Sequence, residues 1–218
     1  MSRSPAVEDY LECIYELEES GIAPLRARLV ERMGVSAPSV SETVARLERE
    51  GYVSLDDKRV IRLTERGQHA ATAVMRRHRL AERLLVDVLK VPWHQVHEEA
   101  HRLEHAISDN LETHLVALLG DPGTCPHGNP IPGSANAVDH GPLLPISDLG
   151  DRHGTVRRID EEVEAHPELM LLLESSLLMP GRPVTLGECG AQNTTVVTDA
   201  GPTEVPAWVA QKIYVSVD

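Results

Sequence analysis

The sequence predicts a mainly α protein with a small β domain, on three observations. Two short helical stripes joined by a glycine-containing turn run straight into a polar hairpin, the pattern of a winged helix-turn-helix. Three further segments carry broad Leu, Val and Ala faces, more apolar surface than one small module needs, which suggests a helical dimerisation layer. After a Pro/Gly-rich stretch come short β-prone runs.

Residues 5–20 place Val7, Leu11, Ile14, Tyr15 and Leu17 on one stripe, with Ser4 as N-cap, Pro5 in the first turn and Gly21 at the end. Leu25 to Met33 is a second helix stopped by Gly34, and Ser36 caps a third that turns Val40, Val44 and Leu47 inward before Gly51. Tyr52–Leu55 and Val60–Leu63 flank a hairpin tip, Asp56-Asp57-Lys58-Arg59. From Thr64 as N-cap a long helix runs to about Leu89, a second from about Trp93 to Ile107, and a third from Asp109 to Leu119. Residues 120–150 read as extended loop or linker and mark a domain boundary. Strands are expected at Val156–Ile159, Val184–Leu186, Thr194–Thr198 and Ile213–Val217, with an apolar patch at Leu169–Leu173. The resulting division is 1–72, 73–140 and 141–218.

Composition excludes several classes. No run approaches the roughly 18 apolar residues of a membrane span, and the N-terminus enters an acidic amphipathic segment, so a cytoplasmic protein without membrane contact is expected. Cys13, Cys125 and Cys189 show no C-x-x-C spacing, so neither a disulfide framework nor a thiolate zinc site is indicated. Phe is absent, and the cores must be aliphatic. The net charge of −13 hides a basic module: residues 24–90 hold fourteen Lys/Arg against nine Asp/Glu. Salt screens charge beyond roughly 10 Å, so a locally basic face can still bind phosphates.

The chemistry concentrates in His97-Glu98-Glu99-Ala100-His101 followed by Glu104 and His105, three imidazoles and three carboxylates on one helix. At about 100° per residue, His97, His101, Glu104 and His105 share a face, whereas Glu99 points away. His78 and Glu82, one turn apart on the preceding helix, can converge on the same region. Nitrogen and carboxylate donors without thiolate suit Mn, Fe, Co, Ni or Zn as divalent ions. The remaining histidines, His127 included, read as ordinary solvated or core residues.

Taken literally, His97–His101 also matches H-E-x-x-H, the zinc-protease helix in which the glutamate activates water. That reading predicts more than it finds. A metzincin needs Gly where Glu104 stands and a His where Ile107 stands, and a hydrolytic zinc does not require His78 and Glu82. A protein that is not an enzyme is therefore expected.

Tyr15-Glu16-Leu17-Glu18-Glu19, Leu25-Arg26-Ala27-Arg28, Val40-Ser41-Glu42-Thr43-Val44-Ala45-Arg46, His78-Arg79-Leu80-Ala81-Glu82-Arg83-Leu84-Leu85 and Asn129-Pro130-Ile131-Pro132-Gly133 resemble the diphtheria-toxin-repressor family of metal-dependent transcriptional repressors. The likeness is dense from about residue 7 to 133 and weaker beyond, where longer members carry an SH3-like (FeoA-like) β-barrel. The resemblance implies a homodimer on a palindromic double-stranded DNA operator, one or two dimers per operator, and two metal sites per subunit. One site would use His78, Glu82 and His97, with Glu161 and Glu164 from the SH3-like domain. The other would use Glu104, His105, His101 and Asp9, with Glu12 beside it.

At positions 9 and 101 the iron-responsive branch has sulfur donors where this chain has Asp9 and His101. Harder donors shift preference towards Mn²⁺, and Asp9 with Glu12 resembles the manganese-responsive branch. Mn²⁺ is thus the expected effector and Fe²⁺ the alternative, with Co²⁺, Ni²⁺ or Zn²⁺ as substitutes in vitro. The genes expected under control serve metal homeostasis. Metal bridging Asp9 to Glu104 and His105 would pin the first helix and set the spacing of the recognition helices. By resemblance Ser36, Pro38, Ser39, Ser41 and Glu42 face the groove, while Arg26, Arg46, Arg49 and Arg59 suit phosphates. A metal-storage protein would bind ions without sequence-specific DNA affinity.

Overall fold

The computed structural model describes residues 5–217, which divide into two compact units on either side of the Arg77–His78 bond. The expected Ser4 cap lies outside the described residues. Among those residues no helix is long and apolar enough to cross a membrane.

The first unit is a winged helix-turn-helix. Helix α1 (Pro5–Glu19), α2 (Arg26–Met33) and α3 (Ala37–Arg49) precede the hairpin β1 (Val53–Leu55) and β2 (Ile61–Leu63), and α4 (Glu65–Arg83) begins here. The stops are chemical. Gly34 closes α2 at φ +64°, a left-handed position that costs glycine little, and the Ser36 hydroxyl accepts from the Ser39 N–H at 3.3 Å to open α3. Thr64 Oγ1 accepts from Gly67 N–H at 3.1 Å while donating to Gly51 O at 2.7 Å, so a single hydroxyl caps α4 and ties it to the wing. Leu11, Ile14, Leu17, Leu29, Val40, Val44, Leu47 and Ile61 are fully buried together in an aliphatic core.

In the second unit α4 ends at Arg83 and passes into one π turn, Leu84–Val88, with Leu89 N–H bonding Leu84 O. The helical segment expected as far as Leu89 thus ends in a single π turn. The segment expected as one helix from Trp93 starts as a 3-10 turn (Trp93–Gln95) after Pro92, then becomes α5 (Val96–Glu104). Ala106 and Ile107 bond back three residues, which tightens the end and leaves His105 at the C-cap. Helix α6 (Asp109–Leu119) matches its expected limits, with the Ser108 hydroxyl accepting from Leu111 N–H at 3.3 Å.

The remainder of the unit builds one antiparallel sheet of six strands in the order β3-β8-β4-β5-β6-β7: β3 (Leu144–Pro145), β4 (His153–Ile159), β5 (Pro183–Cys189), β6 (Asn193–Thr198), β7 (Gly201–Pro206) and β8 (Ile213–Val217). Helices α7 (Glu161–Glu164), α8 (Pro167–Ser175) and α9 (Ala207–Ala210) lie between strands. The short β3 and the Pro-bounded β7 are the two edges, and both escaped the sequence pattern because an edge strand need not alternate cleanly. Ile146, Val156, Ile159, Val163, Leu173 and Val215 fill the core, joined by Trp93.

Residues 123–131 form a loop, as expected of this Pro/Gly-rich stretch, but a buried one. Cys125, His127, Asn129 and Ile131 are buried, and the loop crosses against β4, with Ile159 N–H donating to His127 O at 2.9 Å. A Cβ on Gly128 (φ +92°) would sit 1.9 Å from Arg157 O, so only glycine fits there. Proline and glycine mark a tight buried crossing here, not an open tether.

Candidate metal centre

Helix α4 presents His78 and Glu82 on one face, and both are completely buried. Helix α5 brings His97 alongside: His78 Nε2 lies 3.2 Å from His97 Nδ1, and Glu82 Oε1 lies 3.5 and 3.6 Å from those two nitrogens. Glu164 on α7 completes the group, with Oε2 3.4 Å from His97 Nδ1. Both Glu82 oxygens and Glu164 Oε2 are buried without a hydrogen bond, although imidazole nitrogens surround them. Metal–ligand bonds of about 2.1 Å put neighbouring donor atoms about 3 Å apart, which is the spacing seen. Imidazole and carboxylate donors converging on one place, with buried carboxylate oxygens among them, are what a cation site requires, and these residues fit a divalent ion.

A second group adjoins the first through Glu104, which is fully buried at the end of α5. Its Oε2 lies 2.6 Å from His78 Nδ1, while its Oε1 lies 3.5 Å from His101 Nδ1 and 3.4 Å from His105 Nε2. The second oxygen makes no hydrogen bond. Partial burial, with the positive charges of His78 and His97, lowers the His101 pKa despite Glu104, so this imidazole offers a lone pair at neutral pH. Burial works against the charge of Glu104 too, yet the His101 and His78 rings beside it hold its pKa at about 2.

Other sequence-predicted residues are placed differently. Asp9 and Glu12 lie on α1 in the first unit, with Glu12 buried. Glu161 is committed to Arg79: its Oε1 accepts from the guanidinium at 2.9 and 2.8 Å, with both side chains buried. Glu98 and Glu99 pair with Arg102 on the solvent side of α5. Val40, Val44 and Leu47 hold one side of α3 in the core, which leaves Ser36, Pro38, Ser39, Ser41, Glu42 and Arg49 exposed. Arg26 and Arg46 are half-buried, and Arg59 is exposed at the hairpin tip with φ +63°.

Four residues near the first group escaped the sequence reading. Arg79 donates to Pro130 O at 2.5 Å, Asn129 Nδ2 donates to Glu164 Oε1 at 2.6 Å, and Cys125 and His127 enter from the 123–131 loop. Burial pushes the Cys125 thiol up to about 12, so it stays protonated, and its sulfur accepts from His127 N–H at 3.4 Å. The available signal was Cys125-Pro126-His127 itself, a metal-capable pair inside a rigid Pro/Gly loop.

Burial disfavours the charged form of His97, but the Glu164 and Glu82 carboxylates raise its pKa to about 9. Metal must displace that proton below pH 9. Affinity should therefore rise with pH up to at least about 9, about tenfold per unit for each proton displaced. Calorimetry in buffers of different ionisation enthalpy should find at least one proton released per ion at pH 7; none released would contradict this.

Comparison with known proteins identifies the family. Residues 3–61 match the family described as "Iron dependent repressor, N-terminal DNA binding domain", and residues 64–133 match "Iron dependent repressor, metal binding and dimerisation domain". The chain is 42% identical over 200 residues to the iron-dependent repressor IdeR of Mycobacterium tuberculosis, covering 87% of each chain. It is 43% identical over 202 residues to the diphtheria toxin repressor of Corynebacterium efficiens, covering 89% of this chain and 87% of that one. Among solved structures, a manganese-dependent transcriptional repressor in complex with manganese superposes with a TM-score of 0.85 at 35% identity, over 97% of this chain and all of that one. The chain belongs to the diphtheria toxin repressor family of metal-dependent transcriptional repressors.

Proposed function

We propose that this repressor senses Mn²⁺ and controls metal-homeostasis genes, with two ions per subunit ordering a homodimer for binding to a palindromic operator, and with no bond broken. The observation that carries the choice of metal is the sulfur-free character of the Glu104 group, in which His101 and His105 flank one buried carboxylate. Imidazole and carboxylate donors suit Mn²⁺ better than a set containing thiolate or thioether. By resemblance, Asp9 and Glu12 add two further carboxylates.

When bound, the divalent ion supplies the positive charge that buried carboxylates lack. The chain's own residues do the rest. Glu104 joins the two groups by holding His78 on one oxygen and turning the other to His101 and His105. On α6, Leu111 and Leu118 are exposed at 42% and 62%, two turns apart on one face, which supports a homodimer contact there. Driving the operator-competent state from about 1% to about 99% requires the ion to favour it by about 5.5 kcal/mol.

The alternative is an Fe²⁺-responsive repressor, favoured by relatives that are named iron-dependent. Reporter transcription in cells supplied with each metal separates the two: repression by Mn²⁺ at levels where Fe²⁺ has no effect supports the first, and the reverse order supports the second. The DNA face gives a further prediction. Arg59→Ala should weaken binding to all sequences and reduce the slope of log affinity against log salt by about one; an unchanged slope would remove Arg59 from the phosphate contacts. A carboxylate accepts from cytosine N4 but repels phosphate, so Glu42 should alter the operator and duplex selection should recover cytosine opposite it.

A further inference from the structure

Helix α3, the wing and the start of α4 meet at one junction, and Arg66 stands on it. Three successive carbonyls after α3, those of Glu50, Gly51 and Tyr52, accept from residues 64–66. Arg66 Nη1 donates to Glu50 O and the Thr64 hydroxyl to Gly51 O, both at 2.7 Å, and Thr64 N–H donates to Tyr52 O at 2.9 Å. A Cβ on Gly67 would sit 1.9 Å from Tyr52 O, so the first turn of α4 lies hard against this connection. Arg66 adds the charged contact. Its Nη2 donates to the Tyr52 hydroxyl at 3.0 Å, and the guanidinium carbon lies 4.3 Å from the centre of the Tyr52 ring. Glu50 is the C-cap of α3, where a helix carries partial negative charge that a cation stabilises, and Tyr52 leads directly into β1. One side chain thus grips both the end of the recognition helix and the base of the wing.

The wing is stiff at its tip. Asp56 Oδ1 accepts from the Lys58 and Val60 N–H groups at 2.9 Å, and β1 and β2 pair over three residues each. Its direction is therefore set at its two feet: Ile61 N–H bonds Pro24 O at 2.8 Å on the β2 side, and the Tyr52 junction holds β1. Arg66 itself is exposed, unlike the ring beneath it, so its contacts orient surface elements and add little to the core. We propose that Arg66 is a positioning residue for operator recognition, fixing the angle between α3 and the wing so that Glu42 in the groove and Arg59 on the phosphates engage one operator together. This deepens the DNA-binding reading and rests on it. A lysine would not serve, because a single ammonium lacks the planar fork that reaches a carbonyl and a hydroxyl while covering a ring.

The test measures affinity for the selected operator and for a random duplex, with Mn²⁺ and over a range of salt, for wild type, Arg66→Lys and Arg66→Ala. Arg66→Lys keeps the charge and should still lose about tenfold on the operator, roughly what one charge-assisted hydrogen bond contributes, with the random-duplex affinity and the salt slope at wild-type values. Arg66→Ala should lose at least as much on the operator and far less on the random duplex. Wild-type operator affinity in Arg66→Lys would overturn the proposal, since charge alone would then suffice, as at a phosphate contact. Equal losses on both duplexes in Arg66→Ala would overturn it too: a salt slope reduced by about one would mark a direct phosphate contact, and an unchanged slope with a lowered melting temperature a folding role. A wild-type chain that binds both duplexes alike with Mn²⁺ would overturn it together with the DNA-binding reading.

Discussion

Replacing Glu104 with alanine is expected to lower metal-dependent operator affinity by at least about 100-fold, with little change in the weak binding to random DNA. Truncating even an outer-sphere partner typically costs 10- to 100-fold in metal affinity, and Glu104 touches both groups directly. Its loss releases His78 Nδ1, held at 2.6 Å, and takes away the one carboxylate between His101 and His105. Random-duplex binding depends on the phosphate contacts of the first unit and should persist. Fluorescence anisotropy with operator and random duplexes, over a Mn²⁺ titration, checks both halves. Equal losses on the two duplexes would point to a folding defect, and no loss on the operator would remove Glu104 from the switch.

The largest stability effect is expected at Arg79. This guanidinium is completely buried, and it pairs with buried Glu161 while donating to Pro130 O. Arg79→Ala leaves the Glu161 carboxylate without its main counter-charge, and breaking such a pair costs about 3–5 kcal/mol. In a unit of this size the melting temperature should fall on the order of 10 °C. The sign follows from the pair: burial disfavours the charged Glu161, but Arg79 outweighs it and holds the carboxyl pKa below its ordinary value. A group with a depressed pKa contributes stability above its unfolded-state pKa and loses it as pH falls through the folded one. The penalty of Arg79→Ala should thus be largest at neutral pH and shrink in acid, where Glu161 can protonate. A double replacement, Arg79→Met with Glu161→Leu, should recover most of the loss, because no charge is left buried. Equal instability of the single and double variants would show that the arginine acts through the loop alone.

The parts of the fold that were legible have local causes. Helices α1 to α3 and α6 follow from apolar stripes at helical spacing, and Ser36, Thr64 and Ser108 each accept the N–H that a capping hydroxyl should. The four donors of α5 were readable for the same reason, since spacing along one helix fixes a face. What spacing cannot reach is a residue delivered from a distant loop. His127 is thirty positions from His97 in sequence, and its approach depends on Trp93, Arg83 and Gly128, none of which signals metal. Glu161 and Glu164 illustrate a related limit: both sit on the single turn of α7, and only the fold shows that one turns to Arg79 and the other to the histidines.

The central claim is that a divalent ion at these groups switches sequence-specific DNA binding. The most direct test selects duplexes from a random pool with the full chain in Mn²⁺, Fe²⁺, Zn²⁺ or chelator, then measures affinity for the enriched sequence in each condition. A palindrome enriched and bound tightly only with metal, and most sensitively with Mn²⁺, is the predicted result. Equal enrichment and affinity in chelator would contradict it.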